Sequence, residues 1–141
     1  MDYITIDTLR KMKAAGFSYP EYEHFLNYGM LYYYHDDEYF IGGFSVGDFS
    51  SLDKEVARQG EWLPEATQLL EWLTNTDFKV NITIEDRQYF SIQAIDMIDG
   101  TLYNGGGLTL ANALAKTITK ICKTNRRNFI PKPKLRLELI E

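Results

Sequence analysis

Few residues in this chain are of the types that do chemistry, and their spacing narrows what they can do. His24 and His35 are the only histidines, and Cys122 is the only cysteine. These three match no zinc-ligand spacing, and no nucleophile stands out that a histidine base would activate. Cys122 falls on the apolar stripe of a helix and reads as a core residue. Asp36-Asp37-Glu38 gathers three carboxylates. A calcium loop instead spreads its carboxylates over about twelve residues around a glycine turn, so the triplet reads as a solvated hairpin tip. Gly105, Gly106 and Gly107 stand ahead of a helix start, where unpaired N–H groups could hold an anion. No Lys-Ser/Thr follows them as a phosphate loop requires. A flexible turn is the simpler reading, and anion binding at these glycines the alternative. The chain is therefore expected to be non-enzymatic, with no metal and no cofactor.

The distinctive residues suit contact better than catalysis. Ten tyrosines are present, and Tyr32, Tyr33, Tyr34 and Tyr39 fall on one aromatic hairpin. At least one of them must face outward, where tyrosine offers a large contact area with a polar tip. Lys116, Lys120 and Lys123 share a helix face and run on into Arg126 and Arg127. The last residues alternate Leu135, Leu137 and Leu139 with Arg136 and Glu138, a pattern that can add a strand to a sheet edge. Charge is divided along the chain. Residues 1–115 carry seven Lys/Arg against eighteen Asp/Glu, a balance of −11, and residues 116–141 carry eight against two, a balance of +6. An acidic body repels nucleic acid over most of its surface, so a protein partner ranks above nucleic acid. A homo-oligomer formed through residues 130–141 is one such partnership.

Local pattern supplies the elements that must position these residues. Residues 4–15 read as a helix ended by Gly16, and residues 21–27 as a second, short helix. Residues 30–34 and 38–41 form an aromatic hairpin. Caps at residues 48–51 start a helix that Gly60 ends, and Pro64 sits in the first turn of the next. Phe78, Val80, Ile82 and Ile84 alternate with polar residues as a half-buried strand does. Residues 89–97 form its partner, with a bulge or two-sided cover expected near Ala94-Ile95. After the glycine turn, Thr109 caps a helix whose stripe is Ala111, Leu114, Ala115, Ile118, Ile121 and Cys122.

The expected fold is α+β: an antiparallel sheet of about four strands, helices packed mainly on one face, and an extended C-terminal segment. One domain spans residues 1–125, followed by a basic, proline-containing tail at 126–141. No apolar run approaches the ~20 residues of a membrane span. The start, MDYITIDTLRK, lacks the basic-then-apolar layout of a signal peptide, so a cytoplasmic setting is expected.

WLPEATQLLEWL, the hairpin with YFSIQAIDM, and LTLANALAKTITKI fall within residues 62–124. This stretch resembles small uncharacterised proteins of Gram-positive phages and prophages, among them those described as a helix–sheet–helix (ABA) sandwich. The resemblance implies α+β architecture and a mobile-element origin, and it transfers no catalytic residue. The expected function is a non-enzymatic protein-binding module, a phage or prophage accessory protein. Two alternatives stand beside it. One is an immunity or anti-defence protein that blocks a host or toxin target. The other is a small-molecule or nucleotide binder using the Gly105–Gly107 turn.

Overall fold

Helix α1 spans Ile6–Ala15 because both of its ends are chemically closed. The Thr5 hydroxyl accepts the Thr8 N–H at the start, and Gly16 takes a left-handed conformation (φ 114°) at the end. Leu9 and Met12 are its buried side. The short helix expected at residues 21–27 does not form. The N–H groups of Tyr22 and Glu23 both bond back to the Tyr19 carbonyl, making a single turn. His24 then takes φ 65°, which no right-handed helix can continue. The computed structural model describes residues 2–42, 49–86, 88–125 and 129.

Two three-stranded antiparallel sheets follow, each with its own helical partners. In the first, β1 (Leu31–Tyr34) turns into β2 (Asp37–Phe40) through His35 and Asp36, both at positive φ, the geometry of a two-residue type I′ hairpin. Helix α2 (Ser51–Gln59) opens with a reciprocal cap between Ser50 and Asp53. Strand β3 (Glu61–Leu63) then pairs with β1, giving the order β2-β1-β3. Helix α3 (Ala66–Asn75) begins as the Gln68 side chain accepts the Glu65 N–H.

The second sheet is β4 (Phe78–Glu85), β5 (Tyr89–Asp96) and β6 (Leu102–Gly107), in that order across the sheet. Helix α4 (Leu110–Thr124) lies back over it. The α+β class with antiparallel pairing holds, but the strands number six among the described residues, and the two hairpins sit in separate sheets. The β4–β5 register is unbroken from Phe78↔Asp96 to Glu85↔Tyr89, so the expected bulge near Ala94-Ile95 is absent. Burial in β5 alternates instead: Ile92, Ala94 and Asp96 are buried, whereas Tyr89 and Gln93 are exposed.

The glycine segment is the main correction. Gly105–Gly107 is not a turn but the end of β6, paired with Phe90, Ser91 and Ile92 of β5. The reversal comes earlier, at residues 97–101, where Gly100 has φ 80°. Glycines are needed in β6 because α4 crosses very close to it. A Cβ on Gly105 would stand 2.2 Å from Thr117 Oγ1, and one on Gly107 would stand 3.1 Å from Ala113 N.

One apolar cluster joins the two sheets, running from Leu9 and Met12 through Leu69, Trp72 and Leu73 to Leu114, Ile118 and Ile121. Phe129, beyond α4, is half-buried with its ring 5.5 Å from that of Trp72 and 5.8 Å from that of Phe78. Phe129 thus lies beside Phe78, the first residue of β4. No helix among the described residues is long and apolar enough to cross a membrane.

Candidate functional site

Strand β6 is an edge strand among the described residues, and its free edge borders a surface depression. The Asp96 N–H donates to the Thr101 carbonyl at 2.8 Å, which makes that pair a hydrogen-bonded one. Hydrogen-bonded pairs alternate along an antiparallel ladder. Asn104 and Gly106, opposite Gln93 and Ser91, therefore turn their N–H and C=O groups away from β5. The Asn104 carbonyl accepts the Lys120 ammonium from α4 at 2.6 Å. Gly106 lies two residues on with the same sense, and it lines a cavity of about 510 Å³.

Three elements close that cavity. Helix α1 supplies Thr8 and Lys11, helix α4 supplies Asn112, Lys116 and Lys120, and β5 supplies Tyr89. Three of its lining residues are lysines and none is a carboxylate. Lys11, Lys116 and Lys120 are all exposed. The Tyr89 ring packs so close to Gly106 that a Cβ there would lie 2.4 Å from the tyrosine oxygen. The sequence brought Gly105 and Gly106 into consideration separately from Lys116 and Lys120, and the fold unites them. It missed Thr8 and Lys11, which are about a hundred residues away in the chain; no local signal links α1 to α4.

The anion reading changes accordingly. The N-terminus of α4 is already occupied: the Asp2 carboxylate accepts the Ala111 N–H at 2.8 Å, and the Thr109 hydroxyl accepts that of Asn112 at 3.1 Å. A carboxylate there satisfies the helix dipole and repels a second anion. Any anion at the glycines meets the strand edge and the lysines, not the helix end. Gly107 is buried under α4 and has no part in the cavity.

The second depression, about 540 Å³, is apolar and open. Ile84, Phe90, Leu108 and Leu110 line it with Asp2, Gln88 and Thr109. Phe78, Val80, Ile82 and Ile84 all share the sheet face that α3 and α4 cover, but β4 runs on past the helices. Phe78 is buried, while Ile82 is 41% and Ile84 63% exposed; Leu108, at 74%, stands nearby. The outer edge of β4 has no partner strand among the described residues.

Among the remaining candidates, the tyrosines hold the fold together. Tyr32 is fully buried and donates to the Phe25 carbonyl at 2.9 Å, so it presents no contact surface. Burial pushes its hydroxyl up to about 12. Tyr34 and Tyr39 are half-buried and donate to Glu55 and Asp53 of α2. Lys123 is exposed and apart from the cavity, and Arg126, Arg127, Leu135, Leu137 and Leu139 lie outside the described residues. His24 Nδ1 lies 3.1 Å from the Ala57 carbonyl, and the His35 ring packs edge-on to Tyr34. Burial raises the Cys122 thiol to about 11, the opposite of what a nucleophile needs. Among the described residues no three His, Cys, Asp or Glu side chains gather as a metal site. No family model matches this chain, and neither does any curated protein or any solved structure.

Proposed function

We propose that this chain is a non-enzymatic protein-binding module that associates with a second copy of itself at the free edge of β4. The observation behind this reading is the pair Ile82 and Ile84, apolar, on the core-facing side of an edge strand, and exposed. An edge of this kind is a template for strand addition unless something covers it. The occupant we assign is the C-terminal segment of the second copy. Leu135, Leu137 and Leu139 alternate with Arg136 and Glu138, so one face of an added strand would continue the apolar face of β4. The choice of a second copy rests on charge, because a +6 end meets a −11 body. Phe129, packed on Phe78, sets the departure point of that segment next to β4. An accessory role in a phage or prophage is the setting that the resemblance suggests.

Light scattering of the purified protein across a concentration series tests this. The expected result is a mass that rises to the dimer, and that stays monomeric after deletion of residues 130–141 or in Ile84→Lys. Both changes fall on surface or terminal positions, so folding is expected to survive and circular dichroism checks it. A full-length chain that is monomeric at every concentration overturns the proposal. If deletion then lowers the melting temperature, the segment covers its own β4.

A further inference from the structure

We infer that the cavity between α1, α4 and the edge of β6 is a binding site for a phosphorylated small molecule. This goes beyond self-association and stands independently of it. Lysine on an exposed helix face is ordinary, and a solvated face is its usual meaning. Here, however, Lys11 comes from α1 and Lys116 and Lys120 from α4, and all line one concavity that has no carboxylate. The surrounding body is strongly acidic, with eighteen Asp/Glu against seven Lys/Arg before residue 116. Cations that only served solubility would gain by pairing with those carboxylates. Gathered together instead, they repel one another, and an anion relieves that repulsion.

The lining adds what recognition of a phosphate needs beyond charge. The Gly106 N–H faces the free edge of β6, and Gly106 itself lines the cavity. The Lys120 ammonium is tethered by the Asn104 carbonyl, so one cation is held in place before any ligand arrives. The Asn112 amide lies on the same wall, and Thr8 faces it from α1. The Tyr89 ring, 43% exposed, offers an aromatic surface at the mouth. A volume of about 510 Å³ suits a mononucleotide or a sugar phosphate. The shared chemistry is a phosphate monoester attached to a ring.

Calorimetry at low salt with inorganic phosphate, AMP, adenosine and glucose 6-phosphate tests the assignment. AMP or glucose 6-phosphate should bind, and adenosine should not. Binding should weaken as salt rises, because exposed charges are screened. Lys116→Glu, at an exposed position, should weaken binding roughly tenfold or more, and Lys11→Glu should do the same from the other helix. Circular dichroism confirms that both variants fold. AMP bound well above glucose 6-phosphate assigns a nucleotide with its base on Tyr89; equal binding assigns recognition through the phosphate alone. No heat from either ester at millimolar concentration overturns the site. So does binding that both charge reversals leave unchanged, or binding of inorganic phosphate with both esters excluded.

Discussion

Asp53 shows how much one carboxylate can hold. It is 3% exposed, yet its oxygens accept the Ser50 N–H at 2.9 Å, the Gly42 N–H at 3.2 Å and the Tyr39 hydroxyl at 3.1 Å. Burial pushes its pKa up, but the hydrogen bonds from Ser50, Gly42 and Tyr39 outweigh this and hold it below 3.8. A carboxyl lowered on folding stabilises the fold above its ordinary value, and that contribution is lost as pH falls below 3.8. Asp53→Ala removes the carboxylate half of the reciprocal cap of α2 and strands the Ser50 and Gly42 N–H groups, and it should cost about 2–3 kcal/mol in urea unfolding at neutral pH. The loss should shrink as the pH is taken below 4. An alanine variant as stable as the parent would show that the three bonds add nothing net. The cluster of caps at residues 48–51 was legible as a helix start. That Asp53 would also anchor the β1–β2 hairpin was not, because Tyr39 and Gly42 reach it only through tertiary packing.

Among the elements, the seam between β6 and α4 is packed too closely for a side chain at Gly105, and its strand was read as a turn. Alternation reveals a strand only through side chains, and Asn104-Gly105-Gly106-Gly107 has almost none to show. Strand β3, at three residues, was too short to display any period. Helix α4 was legible because its stripe repeats over four turns, and the β4–β5 pair because polar and apolar residues alternate along β4. The cavity was half legible: its α4 lysines and its glycines were noted, but pairing them required knowing that the glycines form a strand edge. Gly105→Ala tests the seam. Its Cβ would lie 2.2 Å from Thr117 Oγ1 and 3.0 Å from Thr117 N, so α4 must shift, at a cost of roughly 3 kcal/mol. Adding Thr117→Ala removes the nearer atom and should restore part of that stability. Gly100→Ala is the contrast. It has φ 80° and nothing within 4 Å of a new Cβ, so it carries backbone strain alone, about 1 kcal/mol. Thermal unfolding that ranked Gly100→Ala as the costlier change would mean that α4 does not press on β6.

At the scale of the whole molecule, two sheets could have meant two units that melt separately. The packing argues for one. Trp62 belongs to the first sheet and stacks on Tyr22, 5.4 Å between ring centroids. Trp72 lies in α3, packs against Phe17 and Phe129, and donates its indole N–H to the Ser18 carbonyl at 3.0 Å. Both belong to the same buried cluster, which also takes in Ile92 and Ala94 of the second sheet. Losing either sheet would therefore expose apolar surface of the other, which is the condition for an all-or-none transition. The two tryptophans provide separate reporters. In Trp72→Phe the remaining fluorescence follows the first sheet, and in Trp62→Phe it follows the α3 joint. Trp62→Phe should be mild, within about 1.5 kcal/mol, since the Trp62 indole N–H is buried without a partner among the described residues and its removal forfeits none of the hydrogen bonds seen there. In each variant, fluorescence and far-ultraviolet circular dichroism should give the same midpoint on heating. If Trp62 were to report unfolding several degrees below the loss of helix, the first sheet would be an independent unit. The cluster would then be two cores in contact.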